Sequence, residues 1–288
     1  MTDDLLNRIT QARETINDAQ YIIIGAGAGL SDAAGLKYSG IRFSENFQPF
    51  IERYGMTDMY SAGFYPFKTQ EEKWGYWARH ILTNRHDDSV TQLYKDLLEL
   101  VSHKDYFVIT TNVDSLFYKA GFAAEKIFTV QGDYGMFQCA NGCHNKLYPN
   151  ETQVKEMVEN TKECRIPTEL VPECPVCGGQ MDINIRKDNY FVEDENWNQA
   201  NTKYNQFLQK AINGKLVLLE LGVGFNTPGI IRYPFENLTY KYKNTTLIRM
   251  NNQYAVGSLE NIDKTIAFQE DITKTINLML SNKQINLL

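Results

Sequence analysis

No apolar run in this 288-residue chain approaches the ~18 residues that span a bilayer, which excludes a transmembrane helix. There is no internal repeat, so a solenoid or propeller is excluded. No low-complexity linker interrupts the sequence, and 43% hydrophobic with 22% charged residues exclude wholesale disorder. Charge is not massed either. The 29 basic and 35 acidic residues leave a net −6 without long single-sign blocks, which argues against nucleic acid or an anionic membrane as the main partner. Residues 1–20 are acidic and amphipathic and carry no signal-peptide apolar region, so a cytoplasmic location is the expectation. Histidine is scarce: His80, His86, His103 and His144 stand beside no convincing nucleophile, and none is assigned to catalysis. The length suits one large domain or two.

Apolar periodicity supplies the elements. Leu5, Ile9, Ala12, Ile16 and Ala19 recur at helical spacing, with Thr2 placed to cap the helix. Tyr21–Ile24 reads as a buried strand running into Gly25-Ala26-Gly27-Ala28-Gly29, and with the small residues Ala33, Ala34 and Gly35 it forms the start of a βα unit. The alternation continues with a helix over Ser89–Val101, a strand over Tyr106–Thr110, a helix over Ser115–Ala120 and a strand over Ile127–Val130. Further strands fall at Lys215–Leu221, Thr246–Met250 and Thr265–Phe268, and Ile272–Leu280 closes the chain as a helix. Alternating helices and apolar strands predict an α/β fold, a doubly wound, Rossmann-like parallel sheet covered on both faces. Two segments break the rhythm: residues 41–79, aromatic-rich and read as irregular, and residues 133–198, which hold every cysteine. Both are read as insertions forming one smaller helical and metal-binding module. Residues 1–40, 80–132 and 199–288 then form the sheet domain. The aromatics from Phe43 to Trp77 are read as module core rather than a ligand cage.

In such a sheet, ligands bind beyond the carboxyl ends of the strands, and five stretches fall there. Gly25, Gly27 and Gly29, with Ala26, Ala28, Leu30, Ser31 and Gly35, let backbone approach a diphosphate. The third glycine of a dehydrogenase fingerprint is replaced by Leu30, and the acid about 20 residues on, Glu45, falls outside a strand end, so a dehydrogenase is disfavoured. Asn112 and Asp114 follow the second strand and can bind ribose hydroxyls or face a developing cation; equally, either can cap the next helix. Gln131 follows the third strand and can orient a ligand but cannot take a proton near neutral pH. Gly222, Val223, Gly224 and Asn226 form a second glycine turn, and Asn251 follows the next strand. For each, a plain loop requirement is the alternative.

Five cysteines is an odd number, and four of them form two close pairs. Cys139-x3-Cys143 and Cys174-x2-Cys177 have knuckle spacing suited to tetrahedral zinc. Four thiolates leave no open position, so the zinc is expected to be structural. His144 is an alternative ligand, and Cys164 is left as a plain thiol.

These motifs, in this order and over nearly the whole chain, resemble the sirtuin family of NAD-consuming enzymes. Gly27-Ala-Gly-Leu-Ser31 with Gly35, the run Thr110-Thr-Asn-Val-Asp114-Ser-Leu116, the cysteine pairs, the second glycine turn and Asn251 carry the likeness. The departures are informative. Gln131 stands where sirtuin deacylases carry a general-base histidine, Leu36–Phe43 replaces the family's cofactor-loop sequence, and Gly222-Val-Gly224 replaces Gly-Thr-Ser. In these respects the chain resembles the macrodomain-linked sirtuins of microbes. That resemblance implies protein mono-ADP-ribosylation with NAD as co-substrate, a lipoylated carrier protein as acceptor and a macrodomain hydrolase as the reversing partner. It also implies that Asn112, Asp114 and Gln131 form the catalytic set, with the two glycine turns and Asn251 seating NAD. A deacylase or NAD hydrolase using another base, and a non-catalytic NAD or ADP-ribose sensor, are the alternative readings.

Overall fold

The computed structural model describes residues 3–86 and 91–281. Among the described residues, the strands are β1 (Tyr21–Ala26), β2 (Asp105–Thr110), β3 (Ile127–Thr129), β4 (Gly132–Cys139), β5 (Tyr148–Pro149), β6 (Met181–Ile185), β7 (Leu216–Leu221), β8 (Thr245–Met250) and β9 (Thr265–Phe268). Six of them form one sheet in the order β3-β2-β1-β7-β8-β9, every neighbouring pair parallel. The order reverses direction between β1 and β7, as doubly wound topology requires. The register puts Ala26 beside Thr110 and Leu221, and Met250 beside Leu221 and Phe268, so the carboxyl ends line up along one edge.

Both faces are covered, and the strands are mostly apolar; β7 is buried at all six positions, Glu220 included. On one face pack the helices Asp3–Asp18, Gln92–Val101 and Ile272–Leu280, the first through Leu5, Ile9, Ala12 and Ile16. On the other lie the helices Glu195–Ala211 and Arg232–Lys241. The expected elements are present with ends shifted by up to three residues. The expected cap Thr2 and the predicted helix start at Ser89 and Val90 lie outside the described residues.

A second sheet, β5-β4-β6, is antiparallel. Its hydrophobic core joins Phe43, Phe47, Phe50, Trp74 and Trp77 to Tyr134, Phe137, Met181 and Ile183. The aromatic stretch is thus module core, as expected, although Tyr60 and Phe64 remain exposed. The irregular conformation expected for residues 41–79 is corrected: it is largely helical, with helices at Ile41–Tyr54, Met59–Ala62 and Gln70–Ile81. Pro49 inside the first of these, with a non-helical kink at Phe47, disguises its helical period. After the third, the chain widens into a π-helical turn at Leu82–His86.

Candidate active site

The loops at the carboxyl edge of the large sheet bring the reactive side chains together. Leu30 and Ser31 sit in the short helix Ala28–Ala33 that follows β1. Ser31 Oγ donates to Asp114 Oδ2 at 2.6 Å and accepts from Asn112 Nδ2 at 3.1 Å. Tyr94 OH lies 3.1 Å from the same hydroxyl. Asn112 Nδ2 also donates to the Gly27 carbonyl at 3.0 Å, which ties the β2 loop to the β1 turn. Asp114 Oδ1 accepts from the Leu116 amide at 3.0 Å, so one carboxylate caps the helical turn Leu116–Lys119 and receives Ser31 at once. Ser115 between them is held in the left-handed region at φ 63°, a strained conformation of the kind found at functional sites. Burial raises the Asp114 carboxyl pKa, against the lowering pull of the Ser31 and Leu116 hydrogen bonds.

Gln131 lies in the turn between β3 and β4, half-buried, with its carbonyl accepting from Arg186 N at 3.0 Å. Its side-chain amide has no hydrogen-bond partner among the described residues. Two residues on, Asp133 receives Arg85 from the π-helical turn through Nε at 2.6 Å and Nη2 at 3.1 Å. Tyr38, from the loop after Gly35, places its hydroxyl 3.5 Å from that of Tyr134. Burial raises both phenols, Tyr134 to about 12, and the negative charge of Asp114 adds to each. The sequence motifs include Asp133, in the run Gln131-Gly-Asp133, but not Tyr38, Arg85, Tyr94 or Tyr134. Tyr94 shares the predicted apolar face of its helix, and Tyr134 lies three residues beyond Gln131; Arg85 sits in a turn that carries no sequence signal.

The glycines divide by what a side chain would meet. A Cβ on Gly25 would lie 2.5 Å from Ile231, so this residue is bare for helix packing. At Gly27 and Gly29 it would meet Gly222 backbone at 2.8 Å, and the Gly29 amide donates to Gly222 O at 3.0 Å. The two glycine turns therefore lie backbone against backbone at the switch between β1 and β7. Gly35 and Gly224 face open space, Val223 is buried, and Asn226 is exposed. Asn251 ties loops together: its Nδ2 donates to Val223 O at 2.9 Å, and its Oδ1 accepts from Gln253 N and Tyr254 N at 3.0 and 2.9 Å.

None of the four histidines lies on these edge loops. His80 is buried among Tyr38, Phe47, Tyr76, Trp77 and Tyr134, and burial pushes its imidazole down to about 3. The module's four cysteines, Cys139, Cys143, Cys174 and Cys177, bring their sulfurs within 4.8 Å of one another. The Cys139–Cys177 and Cys143–Cys174 pairs are each 3.7 Å apart. A tetrahedron with zinc–sulfur bonds of about 2.3 Å has edges of about 3.8 Å, so the donor set fits one zinc ion with no open position. His144 is an outer neighbour, with Nδ1 3.0 Å from Cys143 Sγ and Nε2 2.9 Å from Tyr148 OH. Cys164 is buried in the module core, apart from the four.

Comparison with known proteins agrees with this geometry. The Sir2 family profile matches residues 27–215. The chain belongs to the Sir2 family. It is 36% identical over 285 residues to a protein ADP-ribosyltransferase of Staphylococcus aureus, covering 98% of this chain and 90% of that one. It is 33% identical over 287 residues to a probable bifunctional ADP-ribose hydrolase/ADP-ribosyltransferase of Fusarium oxysporum f. sp. cubense, covering 94% of this chain but 47% of that longer protein. Among solved structures, a Sir2 homologue in complex with NAD matches at TM-score 0.55 and 15% identity, over 94% of this chain and 92% of that one. A sirtuin solved for the basis of its substrate affinity matches at TM-score 0.53 and 17% identity, over 93% and 95%. These structural likenesses establish the sirtuin fold. No helix of the described residues is long and apolar enough to cross a membrane.

Proposed function

We propose that this Sir2-family protein is an NAD-dependent protein mono-ADP-ribosyltransferase, cleaving NAD and passing ADP-ribose to a protein acceptor. The observation that carries the reading is Gln131. It occupies the turn after β3, on the edge that also bears Ser31, Asn112 and Asp114, and no histidine lies on that edge. The name of the Staphylococcus aureus relative supports the same activity. The chain divides in this reading into an NAD-binding domain of residues 1–40, 80–132 and 199–288 and an inserted module of residues 41–79 and 133–198.

The chemistry suits the residues present. In transfer, the bond from ribose C1′ to the nicotinamide nitrogen breaks and its electron pair leaves with nicotinamide. The acceptor nucleophile then bonds to C1′ and gives up its proton. The barrier lies in a cation-like ribose, which a preorganised carboxylate in a dry crevice stabilises. Asp114, fixed by Ser31 and the Leu116 amide, is that carboxylate. Asn112 uses both its donors on Gly27 O and Ser31, which leaves Oδ1 to accept from a ribose hydroxyl or the attacking group. Gln131 orients ribose hydroxyls without taking their protons. Deacylation, by contrast, needs a base to deprotonate a ribose hydroxyl, a contribution of roughly 10²- to 10⁴-fold that glutamine cannot make. The glycine turns with Val223 and Asn226 line the seat of the diphosphate and adenosine. Zinc, held by the four cysteines, supplies cross-linking of the module and no reactive position.

The acceptor implied by the microbial macrodomain-linked sirtuins is a lipoylated carrier protein, with a macrodomain hydrolase to reverse the modification. A location in the cytoplasm agrees with such partners. The test uses NAD labelled in the adenylate phosphate, mixed with lysate proteins and acyl-lysine peptides. Label fixed on a denatured protein band, and lost with Asp114→Ala, is the expected result. Label only in small products would replace transfer by deacylation or hydrolysis. Tight binding of NAD without nicotinamide release under any partner would make the protein a sensor.

A further inference from the structure

Asp133 is a second acid on the Gln131 turn, and the chemistry above leaves it without a part. It is the second residue of β4, and both its oxygens are held. Oδ1 accepts from Arg85 Nε and from the Gly135 amide, each at 2.6 Å, and Oδ2 accepts from Arg85 Nη2 at 3.1 Å. A two-point pairing of this kind fixes direction as well as distance. The guanidinium lies against the β4 backbone. A Cβ on Gly135 would stand 2.9–3.0 Å from Arg85 Nε, Cζ and Nη2, so a bare glycine leaves the cation its room.

Arg85 is delivered by an unusual backbone. Single π-helical turns such as Leu82–His86 are frequent at functional sites. This one is fastened on both sides. Arg42, from the helix Ile41–Tyr54, donates to Thr83 O and to Asn84 Oδ1, both at 2.8 Å. His86 Nε2 lies 2.9 Å from Asn150 Oδ1, and Asn150 Nδ2 donates to Tyr134 O at 2.8 Å. The aromatic and β4 parts of the inserted module thereby set where one cation stands beside Gln131.

The charge balance gives this construction a use. Burial leads in raising the Asp114 pKa; the charge of Asp133 adds to it, and that of Arg85 works against it. Burial lowers the Arg85 pKa in turn, and its bond to Asp133, with the charges of Asp133, Asp114 and Glu151, more than restores it. The other groups facing Asp114 are the Ser31 hydroxyl and the phenols of Tyr38, Tyr94 and Tyr134, all three raised by burial and so neutral. Beside the Arg85–Asp133 pair lie Tyr118, whose phenol burial also raises, and His86, whose imidazole burial lowers.

We infer that Arg85 is a positioning residue for the transfer reaction: the π-helical turn sets it against Asp133, so that one fixed cation anchors the Gln131 turn and offsets the second carboxylate near Asp114. The inference rests on the NAD reading above, in which Asp114 faces the ribose cation. A cation fixed before the reaction begins costs no reorganisation when charge develops.

The test is the pH profile of nicotinamide release from NAD by the full chain, with lysate proteins as acceptors. Arg85→Gln and Asp133→Asn break the same ion pair, so a merely structural role would make them act alike. Charge makes them act oppositely. Arg85→Gln leaves Asp133 an unbalanced anion, so the acid limb is expected to move to higher pH. Asp133→Asn leaves the cation unbalanced near Asp114, so the limb is expected to move to lower pH. Each shift is expected at about half to one pH unit. Arg85→Lys keeps the charge and is expected to hold the limb near its wild-type place. Asparagine keeps an oxygen for Arg85 Nε and the Gly135 amide, so Asp133→Asn reads the sign even where Arg85→Gln fails to fold. Limbs that stay in place or move together overturn the inference and leave the NAD reading standing. A wild-type chain that releases no nicotinamide overturns both.

Discussion

Ser31 Oγ stands 2.6 Å from Asp114 Oδ2, a hydroxyl from the short helix after β1 donating to a carboxylate from the loop after β2. The contact joins two loops 83 residues apart in sequence and sets the charge of the crevice. Burial alone would favour a neutral Asp114; the Ser31 hydrogen bond works against that and keeps the carboxylate available.

Ser31→Ala removes a donor that lowers the Asp114 pKa, so that pKa moves further up. A reaction that needs the ionised carboxylate then loses rate from a higher pH downward. The acid limb of the pH profile of nicotinamide release is expected to shift to higher pH than in wild type. At neutral pH the rate is expected to fall about ten- to a hundredfold, the usual range for a lost hydrogen bond to a charged group. An acid limb that stays in place would remove Asp114 from the reacting set.

Asp114 also has a stability consequence of definite sign. Its folded pKa lies above its unfolded value, so the native state prefers the protonated form. The group stabilises the fold below the unfolded pKa, and that contribution is lost as pH rises through the folded pKa. Asp114→Asn cannot ionise and escapes the loss. Its melting temperature at pH 7 is expected to match or exceed that of wild type, while nicotinamide release falls roughly 10²-fold or more. Thermal melts at pH 4 and pH 7 check it: any advantage of the variant should shrink at the lower pH.

Gln131→His restores a group that can take a proton at the end of β3. With an acyl-lysine peptide and NAD, the variant is expected to gain deacylation of up to roughly 10²-fold over wild type. Product analysis by mass spectrometry reads the result directly. A wild-type chain that already deacylates efficiently, with no gain from histidine, would show that Gln131 is not what separates the two reactions.

Much of this architecture is legible in the sequence because buried parallel strands are continuous apolar runs. Tyr21–Ala26 and Leu216–Leu221 announce themselves, and each ends in the glycine turn that the crevice requires. The cysteine pairs are legible for a similar reason, since metal geometry dictates ligand spacing. What sequence reading misses is set by distant packing. The helix Ile41–Tyr54 is masked by Pro49 and a crowd of aromatics whose partners lie near residue 137. Arg85 reaches Asp133 only because a π-helical turn aims it there. The loop-tying bonds of the Asn251 amide to Val223 O, Gln253 N and Tyr254 N are likewise set by distant packing.

Zinc is expected at one ion per chain by elemental analysis. Cys174→Ser should abolish it, because three sulfurs cannot close the tetrahedron. Cys139 ends β4, and the Cys174 amide donates to Gly179 O just ahead of β6. Metal loss is therefore expected to loosen β4 and β6, seen as faster amide exchange there than in β1 and β7. Uniform exchange with and without chelator would make the cysteine cluster irrelevant to the module's stability.

The glycines offer a separation of fold from ligand that single substitutions can make. Gly222 has φ +61°, and a Cβ there would lie 2.2 Å from the Leu30 amide and 2.4 Å from the Gly29 carbonyl carbon. Gly222→Ala combines left-handed strain with a backbone clash and is expected to destabilise by about 3 kcal/mol or more. Gly224, two residues on, has open space around its Cβ position and no positive φ. Packing gives no reason for glycine at 224, so Gly224→Ala is expected to fold with an unchanged melting temperature. If the bare backbone is there to let a diphosphate approach, the same variant should raise the KM for NAD several-fold with folding intact. An unchanged KM would place the diphosphate against Gly27 and Gly29 alone, and the second glycine turn would then be a partner of the first rather than a second contact to the dinucleotide.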